Sequence, residues 1–218
     1  DLAGVGQQAV NDLFGAGGHA KVIIDAVERQ RIYEVALLVD ADPSRVGTSV
    51  LGHEVQEEAL GFEALSEGIR HAIVAIGNNE IRRRIADIAR GKGLTLATVI
   101  HPGSVVARSA QLGAGTLVMP GAIINADARV GANVIVNTGA VIEHDCRIGD
   151  DVHIGPHATL CGGVAVGAGG LLGAGATVLV GVSIGQGVLV GAGSTVLAGV
   201  PDGARVAGSP CRPLESKP

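Results

Sequence analysis

His144 and Asp145 stand side by side in a stretch otherwise dominated by Gly, Ala, Val and Ile. An unperturbed imidazole titrates near ~6.5, so at neutral pH it can take a proton from an attacking nitrogen or oxygen. A neighbouring carboxylate would hold the ring and raise its basicity. Such a pair suits acyl transfer to an amine, in which the nucleophile loses a proton as the new bond forms; the developing oxyanion then needs a donor, often a backbone N–H. A second chemical feature lies near the other end. Gly15-Ala16-Gly17-Gly18-His19 follows a short apolar piece and opens an amphipathic segment. A glycine-rich turn between a strand and a helix can present N–H groups to phosphate, although these residues do not make a full dinucleotide fingerprint.

The elements that must position His144 follow from a repeat. An aliphatic residue occupies every sixth position from Ile100 to Val196, seventeen in succession. The residue two before each is small or β-branched, as at Ala110, Thr116, Ala122, Ala128, Val134, Ala140, Cys146, Val152, Ala158 and Val164. Residues two apart share a strand face, so each unit is a short strand with one larger and one smaller inward side chain. Three positions after each aliphatic residue lies a turn column of eleven Gly, three Asp and one Asn among seventeen sites, the residues that best tolerate positive φ. A strand and turn repeated without insertion predicts a parallel β-helix, each unit burying its face on its neighbours. His144, two after Ile142, falls at a corner and is expected to point outward, where other units hold Pro120, Ala126, Ala132, Pro156 and Gly162. Asp145 falls in the turn column with Asp127 and Asp151, so it also has a purely conformational reason to be there. His153 is expected on a flat outward face, in one column with Ile135 and Leu171, and His157 in a turn.

Residues 1–100 read differently, as an α/β domain with a small, Rossmann-like parallel sheet. A first strand ends at Leu13-Phe14, interrupted by Asn11 and Asp12. An amphipathic segment spans Ala20 to Arg29, and strands span Val35–Val39 (ending in Asp40), His71–Ile76 and Leu96–Ile100. Gly77-Asn78-Asn79 introduces a helix near Glu80–Arg90. The expected division is 1–100 for this domain and 101–218 for the β-helix.

Composition excludes several classes. Net charge is −5, and the densest basic run, Arg82-Arg83-Arg84, reads as one exposed helix face, so nucleic acid is not an expected partner. No run of about 18 apolar residues exists, so no membrane span is expected. No signal peptide is visible, and Cys146, Cys161 and Cys211 lie at no metal-like spacing, which together point to the cytoplasm.

Taken together, Gly-Ala-Gly-Gly-His-Ala-Lys, Val-Asp-Ala-Asp-Pro, Ala-Ile-Gly-Asn-Asn, His-Pro and the repeat carrying Asn-Thr-Gly-Ala-Val-Ile-Glu-His-Asp-Cys resemble the sialic acid O-acetyltransferase-like sugar acyltransferases. The similarity runs over roughly residues 13–212. This group includes bacterial N-acetyltransferases of nucleotide-linked 4-amino-4,6-dideoxy sugars. The resemblance implies a left-handed coil with three units per turn, an exception to the usual right-handed crossover, and a homotrimer with active sites between subunits. It implies acetyl-CoA as co-substrate with no metal, and a nucleotide-linked amino sugar (UDP-, GDP- or dTDP-linked) as acceptor. It makes His144 the base and Asp145 its partner, and puts His153, Ala174 and Ala192 on acetyl-CoA. Gly17, Gly18 and His19 would lie near the diphosphate, Asp40 near the base or ribose, and Gly77 and Asn78 along the same cleft. Some uridine-nucleotide relatives carry two adjacent acids where this chain has Asp40-Ala41, with Asp42 one further, which leaves the base open.

Rival readings remain at this level. O-acetylation of a sugar uses the same base. A γ-type carbonic anhydrase would use His144, His153 and His157 as zinc ligands, but the spacing fits poorly. A non-catalytic sugar-nucleotide-binding protein would bind without turnover. An acetyl group carried on Cys161 would replace direct attack by the amine.

Overall fold

The computed structural model describes residues 10–63 and 71–214, which fall into two compact units dividing between Pro102 and Gly103. The N-terminal segment read for a signal peptide lies largely outside the described residues.

In the first unit the described elements run β1 (Val10–Phe14), α1 (Gly18–Gln30), β2 (Val35–Asp40), β3 (Ser49–Val50), β4 (His53–Glu57), α2 (Glu58–Glu63), β5 (His71–Val74), α3 (Asn79–Gly91) and β6 (Thr95–Leu96). The sheet order is β3-β4-β2-β1-β5-β6, parallel except for the β3–β4 hairpin. The chain winds outward from β1 through β2 to β4, then returns to β5 on the other side of β1. That reversal between β1 and β5 opens a crevice at the carboxyl ends of the strands. Helix α1 buries Ala20, Ile23, Ile24, Ala26 and Val27, a stripe at helical spacing. Phe14, Val39, Val74, Ile85, Ala89 and Leu96 form a shared core, with Phe62 against Phe14 at 4.7 Å between ring centroids.

Three expectations are corrected here. Asn11 and Asp12 do not interrupt β1, because a central strand is held by backbone pairing to β2 and β5 whatever its side chains. Asp12 is fully buried with no hydrogen-bond partner for its carboxylate among the described residues, and desolvation pushes its pKa up to about 7. The strand expected over Leu96–Ile100 is two pieces, β6 and a further β7 (Val99–Ile100). Finally, the three arginines do not share an exposed face. Arg82 is 0% exposed, at the head of the buried stripe Arg82, Ile85, Ala86, Ala89 of α3.

The second unit is a parallel β-helix of two-residue strands. Each strand pairs in parallel with the one eighteen residues on, as Ile135↔His153, Val141↔Thr159 and Arg147↔Ala165, so three six-residue units make one coil. The inward columns are dry: Ile142, Ile154, Leu160, Ala140, Cys146, Val152 and Ala158 are all 0% exposed. Each buried aliphatic contributes ~1.5–3 kcal/mol, and stacking repeats that gain in every coil. The turn column has positive φ at Asp127, Asn133, Asp145, Asp151 and His157 and at nine of its glycines, from Gly115 to Gly193. The period ends near Val200, after which Arg205–Ala207 adds to the face of Leu189–Val190 and pairs antiparallel with Arg212–Pro213.

Candidate active site

His144 projects from its corner with 62% of its side chain exposed. Its Nδ1 lies 2.8 Å from Oδ2 of Asp145. A carboxylate only accepts, so Nδ1 carries the proton and Nε2 carries the lone pair. The Asp145 hydrogen bond raises the imidazole pKa; partial desolvation opposes it, and the charges of Asp145 and Glu143 add to the rise. Asp145 holds φ at 62°, and its N–H donates to the Ala126 carbonyl at 3.1 Å in the coil above. One residue thus forms the turn and partners the base.

His153 sits half-buried on an outward face, between Ile135 and Leu171 in the ladder. Its Nε2 is 3.1 Å from Nδ2 of Asn137, while Asn137 Oδ1 accepts from the Thr138 N–H at 2.8 Å. That second bond orients the amide, so Nδ2 donates and Nε2 of His153 accepts; His153 therefore carries its proton on Nδ1. Asn137 escaped the sequence reading, although it opens the Asn-Thr-Gly motif that leads to His144. Ala174 and Ala192 are exposed and stack in one corner, the Gly193 N–H bonding the Ala174 carbonyl at 2.8 Å. His157 occupies a positive-φ turn and Cys161 is half-buried. Burial pushes the Cys146 thiol pKa up. Among the described residues no group of three His, Cys, Asp or Glu is placed to hold a metal ion.

In the first unit, the crevice beyond β1, β2 and β5 is a cleft of about 610 Å³ lined by Gly17, Gly18, His19, Asp40, Gly77 and Arg84 among others. Gly15 shapes its floor. At φ 103° it passes so close to the segment that follows β5 that a Cβ would meet Ile76 Cγ1 at 2.9 Å. Gly17 and Gly18 differ, since a Cβ on either would meet nothing within 4 Å. Their bare backbone instead leaves the N-terminus of α1 open to close approach, where N–H groups and the helix dipole favour an anion. Asp40 is already engaged: Oδ2 accepts from the Ala16 N–H at 2.6 Å and Oδ1 from the Asp42 N–H at 2.9 Å. Its carboxylate ties the glycine turn to the end of β2 and lines the cleft. Asp42 is held below the usual carboxylate range by the Ser44 hydroxyl and N–H.

Gly77 lines the cleft, whereas Asn78 caps α3, its Oδ1 accepting from the Ile81 N–H at 3.0 Å. Three arginines belong to the cleft or its wall, of which Arg45 went unread and Arg82 and Arg84 were expected only on an exposed helix face. Arg84 lines the cleft; Arg45 lines it too and donates to the Ala16 carbonyl at 3.0 Å. The buried Arg82 donates to the Ile76 carbonyl at 3.2 Å and the Gly77 carbonyl at 3.4 Å, clamping the turn that forms one wall. The signal for Arg82 was its place in the apolar stripe.

A β-helix of hexapeptide units bearing an outward His–Asp pair, in one chain with an anion-ready α/β cleft, defines an acyltransferase of the hexapeptide-repeat class. Comparison with known proteins agrees. Residues 13–89 match the PglD N-terminal domain, and residues 145–179 match the bacterial transferase hexapeptide (six repeats). No curated protein sequence matches the chain. Among solved structures, perosamine N-acetyltransferase from Caulobacter crescentus, a histidine-to-asparagine variant in complex with CoA and GDP-perosamine, is 42% identical with a TM-score of 0.90, over 94% of this chain and 97% of that one. The acetyltransferase domain of PglB from Neisseria gonorrhoeae, in complex with acetyl coenzyme A, is 37% identical with a TM-score of 0.88, over 96% and 100%. WeeI from Acinetobacter baumannii, 24% identical with a TM-score of 0.84 over 95% and 100%, shares the fold. The chain belongs to the family of hexapeptide-repeat sugar acetyltransferases with a PglD-type N-terminal domain, and its coil is the left-handed β-helix of that family.

Proposed function

We propose that this protein transfers the acetyl group of acetyl-CoA to the 4-amine of a nucleotide-linked 4-amino-4,6-dideoxy sugar, with His144 as general base. The observation that carries the reading is the His144–Asp145 pair, an exposed imidazole with its proton held on Nδ1 and its lone pair on Nε2. In the reaction, the neutral amine attacks the thioester carbonyl and Nε2 takes the proton the nitrogen loses. The tetrahedral intermediate then collapses, breaking the C–S bond and releasing CoA, whose thiolate recovers a proton from the imidazolium. The acyl group moves directly, with no covalent enzyme intermediate. His153, oriented by Asn137, and the corner of Ala174 and Ala192 bind acetyl-CoA. Gly17, Gly18 and His19 receive the diphosphate, and Asp40 and Gly77 frame the rest of the nucleotide sugar.

The relatives support this assignment of substrates, one holding CoA and GDP-perosamine and another acetyl-CoA. A homotrimer with active sites between subunits, in the cytoplasm, completes the proposal; among the described residues no helix is long and apolar enough to cross a membrane. The test is thiol release from acetyl-CoA with a panel of GDP-, UDP- and dTDP-linked 4-amino sugars, product identified by mass. Turnover with one of them, giving an N-acetyl product, is expected. Binding of sugar nucleotide without turnover by any member overturns the proposal.

A further inference from the structure

We propose that Gly162 is the seat of the catalytic imidazole, a positioning residue whose missing side chain sets where His144 can stand. This inference rests on the reading of His144 as the base. Gly162 lies eighteen residues after His144, directly beneath it in the next coil, and the Gly163 N–H bonds the His144 carbonyl at 2.8 Å. A Cβ built on Gly162 would fall 2.6 Å from both Cε1 and Nε2 of His144 and 3.3 Å from Cδ2. Those distances are well inside van der Waals contact, so the ring in its present place and a side chain at 162 exclude one another.

Nothing in the coil itself asks for glycine there. Gly162 does not have the positive φ of the turn column. It is the only glycine among the seventeen residues of its own corner column, from Pro102 to Ala198, where Ala126, Ala132, Ala168 and Ala174 stand in equivalent places. It is also the only buried member of that column among the described residues, because the imidazole covers it. The glycine therefore answers to the histidine above it rather than to the fold. With the ring laid on bare backbone, Nδ1 reaches Asp145 and Nε2 keeps a defined place along the corner. A methyl group at 162 would push the ring off this seat, and a displacement near 1 Å can cost ~100-fold in rate.

The charged groups facing the ring are Asp145 and Glu143 on its own corner; the corner above carries Asp127, and the coil below offers Cys161 and Gly162 with no charge. Displacing the ring from Asp145 should return its pKa toward the ordinary histidine value.

The experiment is a cycle of Gly162→Ala, His144→Ala and the double variant, with kcat and KM for both substrates, thermal melts, and an NMR titration of the His144 ring. Gly162→Ala should lower kcat by roughly 10- to 100-fold, leave both KM values within about threefold, and lower the His144 pKa. In the His144→Ala background it should cost nothing further. Should Gly162→Ala fail to fold, the double variant is expected to melt like the wild type, since the Cβ then has room; failure of both overturns the proposal. It is also overturned by an unchanged kcat and ring pKa in Gly162→Ala, or by an equal loss with and without the imidazole. Wild-type turnover by His144→Ala would sink the base assignment instead, while the NMR titration reports on the seat independently of activity.

Discussion

The two units solve the problem of placing polar groups in opposite ways. The β-helix does it by repetition. The corners repeat one backbone, so a site arises where one residue departs from its column, as His144 does as the only histidine of a column in which Pro and Ala predominate. The α/β unit does it by uniqueness. Its cleft is assembled from Gly15, Asp40, Arg45, Gly77 and Arg82, drawn from different connections and held by different contacts. In a periodic scaffold a substitution should touch function with little effect on the fold. In an aperiodic one, fold and site should fail together.

The sharpest break comes at His144. His144→Ala is expected to lower kcat by about 10²–10⁴-fold, with the melting temperature within a few degrees of wild type, since the side chain is exposed. A large loss of stability would contradict the contrast between units. Arg82→Ala should do what no corner substitution does. It removes a fully buried side chain from the inward stripe of α3 together with its bonds to the Ile76 and Gly77 carbonyls, costing roughly 2–4 kcal/mol of stability. It should also raise the KM for the sugar nucleotide while leaving that for acetyl-CoA near wild type, as read by denaturant melts and steady-state kinetics.

Asp12 gives the α/β unit a pH dependence that comes from burial of a carboxylate unpartnered among the described residues. Its folded pKa, about 7, is raised above the ordinary carboxylate value of 3.8. The contribution is therefore fully present below pH ~4 and is lost as pH rises through ~7, because the folded state holds the proton more tightly. Relative to wild type, Asp12→Asn should gain about 2 kcal/mol more at pH 8 than at pH 5. Equal differences at both pH values would place the carboxylate in a different environment.

The smallest effect separates the two roles of Asp145. Both Asp127 and Asp145 sit at positive φ, at 59° and 62°, where glycine fits without strain, so Asp127→Gly and Asp145→Gly should each change stability by less than about 1 kcal/mol. Only Asp145→Gly should touch catalysis, lowering kcat/KM by roughly tenfold and moving the acid limb of its pH profile down, as the raised His144 pKa relaxes.

How far each part could be read from sequence follows the same division. The repeat exposed inward columns, turn column and corners, so the outward direction of His144 and the positive φ of Asp145 were both legible. The α/β unit showed its strands, its glycine turn and the start of α3, but not the hairpin of β3 and β4 or the short helix α2, which carry little periodic signal. Arg82 was misplaced because arginine reads as surface, although its spacing to Ile85, Ala86 and Ala89 marked it as inward. Asn11 and Asp12 were misread because a central strand can override the preference of its side chains. The role of Asn137 lay hidden in a turn-like tripeptide.

By itself the amino-acid sequence determined the period of six, the side chains that line the core, the two-part organisation and the presence of an imidazole beside a carboxylate. Those are local properties: they depend on which residue follows which, and a repeat copies them from coil to coil. Only the tertiary structure decided which side chains meet when three units close one turn and residues eighteen apart come into contact. From that closure came the Asn137–His153 bond, the seat of His144 on Gly162 and, in the other unit, the hold of Arg82 on the wall of the cleft. Each joins groups separated along the chain, and although the resemblance implied three units per turn, their meeting depends on the coil's closure or on the packing of a helix against a sheet.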